Sequence, residues 1–138
     1  MRAGESVFVD TGAWIALALT RDPLHPRARE SWERLVGDGV RFHTSVAVAM
    51  ETFTFLDRNA ARAVALTWKA SLEAVPRLKL LPCTPKDLER AWPYMERPDL
   101  HKLSAVDAVS FVLMTDRRIR TAFAFDSHFA AVGFRMVG

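Results

Sequence analysis

Near its amino terminus the chain runs Val7-Phe8-Val9-Asp10-Thr11-Gly12-Ala13-Trp14-Ile15-Ala16-Leu17-Ala18-Leu19. Three consecutive apolar β-formers, with no polar residue alternating between them, predict a short strand covered on both faces. The apolar residues from Ala13 to Leu19 then predict a helix, so the segment reads as a strand that runs directly into a helix. A carboxylate, Asp10, stands at the junction.

The same alternation repeats along the chain. Asp22-Pro23 interrupts it, and Leu24 to Val36 carries Ala28, Trp32, Leu35 and Val36 at helical spacing before Gly37 and Gly39. Arg41 to Thr44 predicts a second strand. Ser45 predicts the N-cap of a helix from Val46 to about Asp57, and a further helix follows from Asn59 or Ala60 to Val75. Leu78 to Leu81 predicts a third strand, and Thr84-Pro85-Lys86-Asp87 starts a helix that fades near Glu96-Arg97-Pro98. Ser104 caps a helix from Ala105 to about Arg117 that is apolar on nearly every side, which places it in the core. Ala122 to Phe125 predicts a fourth strand, Asp126 to Ala131 a helical turn, and Phe134 to Val137 a last strand. The expectation is one α/β domain over residues 1–138: a three-layer α/β/α sandwich around a central, mostly parallel sheet of four to five strands. In such sheets ligands bind beyond the carboxyl ends of the strands.

Composition narrows the function classes. Half of the 138 residues are hydrophobic and a quarter charged, ordinary for a folded domain. Nineteen Lys and Arg against 16 Asp and Glu give a net charge of +3, which permits a polyanionic partner without requiring one. Cys83 is the only cysteine, so an intrachain disulfide or a cysteine-built zinc site is excluded. Neither Met1 to Val7 nor the run Trp14 to Leu19 is long and apolar enough for a signal peptide or a membrane span, and the expected location is the cytoplasm.

Within this frame certain acids stand in unusual places. Asp10 and Asp126 each follow a predicted buried strand; each also has an ordinary reading as the N-cap of the next helix. Asp107 lies in the first turn of the most apolar helix. Its ordinary reading is a capping-box partner of Ser104, a position that normally carries Glu or Gln. Glu51 shares a largely apolar helix face with Ala47, Val48, Thr54 and Phe55, its alternative being a solvent-facing edge position. Carboxylates in apolar surroundings desolvate and repel one another unless a cation sits among them. Oxygen ligands alone indicate a hard ion, Mg²⁺ or Mn²⁺.

At these residues the sequence resembles the PIN-domain nucleases, and within them the VapC-like toxin ribonucleases of toxin–antitoxin pairs. Val9-Asp10-Thr11-Gly12-Ala13 is similar to the opening motif, and Asp22-Pro23-Leu24-His25 to the segment that follows it. Thr44-Ser45 through Met50-Glu51 is similar to the second acidic motif, Leu103 through Phe111 to the third, and Ala124-Phe125-Asp126-Ser127-His128-Phe129 with Gly133-Phe134 to the fourth. The likeness covers nearly the whole chain. Gly12 stands where Asn is frequent and Ala124 where Thr or Ser is common; neither change removes a ligand.

The resemblance implies a metal-dependent endoribonuclease whose Asp10, Glu51, Asp107 and Asp126 hold the ion, with the hydroxyls of Thr11 and Ser104 orienting carboxylates. Asp10, Asp107 and Asp126 are expected to hold the principal ion while Glu51 completes its shell or orients the attacking water. Lys102, Arg117, Arg118 and Arg120 are candidates for contacts to the RNA backbone, and none of the four histidines is given a role. A small antitoxin and a homodimer are the implied partners. Two rivals bear on this reading. A phosphoacceptor receiver domain needs an acceptor Asp after a middle strand, which Leu78 to Cys83 lacks. A non-catalytic PIN-like module binding RNA or protein would show decayed motifs, whereas all four acids are present.

Overall fold

Val7, Phe8 and Val9 are fully buried, as a strand covered on both faces requires. The structure, a computed structural model, describes residues 1–138. Around that segment, β1 (Ser6–Val9), lie β2 (Arg41–Ser45), β3 (Lys79–Leu81), β4 (Thr121–Phe123) and β5 (Arg135–Val137). All neighbouring pairs are parallel, in the order β3-β2-β1-β4-β5. The chain builds outward from β1 through β2 to β3, then returns to the other side of β1 as β4. The order therefore reverses between β1 and β4, where the connections diverge and leave a crevice at the carboxyl ends.

Parallel neighbours need crossovers, and helices supply them. Four helices join the strands from β1 to β3: α1 (Thr11–Ala18), α2 (His25–Asp38), α3 (Val46–Asn59) and α4 (Arg62–Glu73). They pack on one another, α1 against α2 and α3, and α3 against α4. The return to β4 is made by α5 (Pro85–Met95) and α6 (Ala105–Asp116), and α7 (His128–Ala131) leads to β5. Right-handed crossovers in the two directions put these groups on opposite faces.

Each face has its own aromatic cluster. Trp32 stacks on Phe42 at 4.5 Å between ring centres, and Trp14 meets Trp32 at 5.6 Å and Trp68 at 6.0 Å. Across the sheet, Phe111 meets Phe129 at 5.0 Å and Tyr94 at 5.2 Å. Helix α6 is the most buried: Asp107 through Met114 are all inside.

The elements match the expected order, with shifts at their ends. The one that bears on the acids concerns the fourth strand, expected over Ala122 to Phe125. Regular pairing covers Thr121–Phe123, because the edge partner β5 is short; Ala124 keeps one bond, its N–H donating to the Val137 carbonyl at 3.1 Å. Asp126 thus follows a bend instead of leaving the strand directly.

Candidate metal centre

Asp10 is held by its backbone. Its N–H donates to the Phe123 carbonyl at 3.0 Å, which continues the β1–β4 ladder past the end of β1. The Thr44 hydroxyl donates to the Val9 carbonyl at 2.9 Å and accepts from Trp14 Nε1 at 3.1 Å, tying β1, β2 and α1 together around the acid. Asp10 occupies the N-cap position of α1, yet its side chain makes no cap hydrogen bond, and Oδ1 is buried with no partner at all. The ordinary capping reading therefore does not account for this carboxylate.

Two Ser/Thr-x-x-Asp sequences show what is special about Asp107. At α5, Thr84 Oγ1 accepts from Asp87 N–H and the Asp87 carboxylate accepts from Thr84 N–H, a complete capping box. At α6, Ser104 Oγ accepts from Asp107 N–H at 3.0 Å, but the Asp107 carboxylate does not return the bond to the backbone. It is left free although the residue is only 7 % exposed.

Glu51 is half-buried on α3, beside fully buried Thr52 and Val48. Asp126, also half-buried, accepts from His128 N–H at 2.9 Å, and its Oδ1 lies 2.8 Å from His128 Nδ1. Ligand atoms of Asp107, Asp126 and His128 lie within 4.8 Å of one another.

The electrostatics bind the remaining acids to this group. Burial, then the charge of Asp107, then those of Glu51 and Asp126, push the Asp10 carboxyl up to about 8. Burial again, then Asp126 and Glu51, raise Asp107 to about 6, against a pull downward from the Ser104 hydroxyl. Other acids of the chain find cations: Asp57 pairs with Arg62, Asp99 with Arg97, Asp116 with Arg90 and Glu73 with Lys69. No Lys or Arg pairs with Asp10, Glu51, Asp107 or Asp126. A group of acids at a sheet's carboxyl edge, two of them buried and none paired with Lys or Arg, is suited to a hard divalent ion.

Other expected site residues fall differently. Thr11 is buried, and its hydroxyl has no hydrogen-bond partner, so it orients no carboxylate here. Ser104 accepts the Asp107 N–H, and its hydroxyl also favours the charged Asp107 carboxylate. Arg117, Arg118 and Arg120 lie at the opposite end of the sheet. They lead into β4, whose Thr121 is in register with Val7, so a parallel strand carries them to the amino edge while Asp126 emerges at the other. Lys102 is exposed in the loop before α6, next to His101, whose carbonyl contacts His128 Nε2 at 2.6 Å. His128 was given no role from the sequence; its position two residues after an expected ligand, at a helix start, is the signal that could have singled it out. Burial disfavours the charge on its ring, but Asp126, the His101 carbonyl and Asp107 together outweigh it and raise its pKa overall.

The fold and the acids together define a class, and comparison with known proteins agrees with it: residues 7–135 match the PIN domain family. The chain belongs to that family. It is 36% identical over 130 residues, 93% of its own length and 95% of the relative's, to the 23S rRNA-specific endonuclease VapC20 of Mycobacterium tuberculosis, in two strains. The crystal structure of M. tuberculosis VapC20, described as a sarcin–ricin loop cleaving toxin, superposes with a TM-score of 0.81 at 33% identity, covering 93% of this chain and 95% of that one. VapBC2 of Rickettsia felis, solved bound to a DNA fragment from its promoter, gives a TM-score of 0.69 at 11% identity over 95% and 96% of the two chains, a likeness of fold.

Proposed function

We propose that this protein is a divalent-metal-dependent endoribonuclease, the toxin of a toxin–antitoxin pair. The observation that carries the reading is the buried Asp10 carboxylate, whose Oδ1 has no partner and whose charge burial and the nearby Asp107, Glu51 and Asp126 all oppose. Asp10, Asp107 and Asp126 would hold Mg²⁺ or Mn²⁺. Such an ion, when bound, neutralises charge on the phosphate oxygens and makes water a better nucleophile at neutral pH. Glu51, with no cationic partner, completes the shell or accepts a hydrogen bond from the attacking water and fixes its direction. Water adds to phosphorus, one ester P–O bond breaks, and a proton reaches the departing oxygen.

The 36% identity over nearly the full length makes ribosomal RNA the first substrate to test. Lys102, exposed in the loop just before α6, is the expected basic residue on the acids' side of the sheet that could meet the RNA backbone, whereas Arg117, Arg118 and Arg120 are set aside from that role. A small antitoxin that covers the acidic cleft is the expected protein partner, by likeness to toxin–antitoxin proteins. A homodimer is supported by the exposed side chains Leu88, Trp92 and Met95, which form one apolar stripe along α5. No helix is long and apolar enough to cross a membrane; a cytoplasmic site of action fits an RNA substrate.

The test is incubation of purified protein with ribosomal and single-stranded RNA, with Mg²⁺ or Mn²⁺ against chelator, beside Asp10→Asn and Asp107→Asn. Cleavage only with metal and intact acids is expected. Cleavage that survives chelator and both substitutions contradicts the proposal; a folded protein that binds RNA without cutting it supports a non-catalytic module.

A further inference from the structure

We infer that His128 is itself a metal ligand, through Nδ1, so that the centre is a mixed oxygen–nitrogen site that favours Mn²⁺ over Mg²⁺; this rests on the metal-dependent reading above.

The His101 carbonyl can only accept a hydrogen bond, so at 2.6 Å from it His128 Nε2 carries the hydrogen. In the neutral ring the lone pair is then on Nδ1. That atom is buried and, though 2.8 Å from Asp126 Oδ1, makes no hydrogen bond of acceptable geometry. Two lone pairs facing each other at this distance repel unless a positive charge serves both, a proton when the ring is charged or a metal ion when the site is filled. A divalent ion does so: neighbouring ligands on an octahedral ion with bonds of about 2.1 Å stand about 3 Å apart, and opposite ones about 4.2 Å. The 2.8 Å pair fits neighbouring ligands, and Asp107, with a ligand atom within 4.8 Å of both, is near enough to close on the same ion. The His101 contact is also the outer support a ligating imidazole needs, since a ring N–H bonded to a carbonyl fixes both tautomer and ring plane. The Asp126 carboxylate reinforces it by accepting His128 N–H. Mn²⁺, a transition-metal ion, accepts an imidazole nitrogen more readily than Mg²⁺, which takes oxygen ligands and keeps its water.

Pulsed electron paramagnetic resonance of the Mn²⁺-loaded protein tests this without an activity assay. The expected signal is a directly bonded ¹⁴N, replaced by ¹⁵N in protein labelled at histidine and abolished in His128→Gln. Calorimetry should show His128→Gln weakening Mn²⁺ about tenfold and Mg²⁺ by much less. Bound Mn²⁺ with no directly bonded nitrogen in the native protein, or equal weakening of both ions, overturns the inference while leaving the carboxylate centre intact. Failure of the native protein to bind Mn²⁺ at all overturns the inference and the metal-dependent reading together.

Discussion

Asp10 and Trp14 stand one helical turn apart, and the two regions they belong to have opposite chemistry. Trp14, Trp32 and Trp68 line an apolar cleft of about 810 Å³ between α1, α2 and α4 that contains no carboxylate. Around Asp10 the acids crowd into the crevice beside β1 and β4. Each region holds a buried polar atom without a partner, Trp68 Nε1 in the first and Asp10 Oδ1 in the second. The two orphans differ in kind. A neutral N–H left unbonded costs about 1–3 kcal/mol and asks only for an acceptor. An ionised carboxylate among other carboxylates costs far more and calls for a cation. Size and apolarity nominate the cleft as a binding site, whereas the charge left unpaired identifies the crevice as the chemical one.

Paired substitutions break this comparison if the two regions are not independent. Asp10→Asn should lower RNA cleavage about a thousandfold, a loss of about 4 kcal/mol in transition-state stabilisation, and should raise the melting temperature of the metal-free protein. Trp68→Ala should do the reverse, destabilising by about 3 kcal/mol because a buried indole is lost, with Mn²⁺ affinity unchanged. Turnover assays and thermal unfolding in chelator check both.

A second test uses pH. Because the folded-state pKa values of Asp10, about 8, and Asp107, about 6, lie above the ordinary aspartate value of 3.8, the folded protein binds more protons than the unfolded chain between those limits. Their contribution to stability is fully present below pH ~4 and is lost as pH rises through the folded values. Without metal, the melting temperature should therefore fall from pH 5 to pH 9 (about the range these values span), and saturating Mn²⁺ should flatten the decline. A flat metal-free profile contradicts the crowding of acids.

Smaller effects follow. Ser104→Ala removes the cap of α6 and should cost about 1 kcal/mol in denaturant unfolding. Arg118→Ala, at the far edge of the sheet, should change kcat/KM for RNA by less than about twofold, since exposed substitutions remote from a site are close to neutral.

The β1 junction was readable because burial leaves a plain mark: Val7-Phe8-Val9 has no polar alternation; the β4 junction was read two residues too long, since the pairing stops at Phe123. Asp107 was readable for the same reason as the β1 junction, within a helix that is apolar all round. What escaped the sequence was direction and tautomer. Arg117 and Arg118 sit close to Asp126 along the chain, yet a parallel strand separates them by its full length. Thr11 has the right chemistry to orient a carboxylate, but the helix turn it opens leaves its hydroxyl unbonded. Thr44, which fixes the end of β1, makes its contacts only after β1, β2 and α1 are assembled. His128 is a lone histidine until the α5–α6 loop brings the His101 carbonyl to its Nε2.

Calorimetric titration of the metal-free protein with Mn²⁺ near neutral pH, repeated in buffers of different ionisation enthalpy, goes to the heart of the account. One tight site is expected, filled with release of protons from the crowded carboxyls and abolished when Asp10 and Asp107 are both changed to Asn. Absence of binding, or binding that survives that double change, would contradict it.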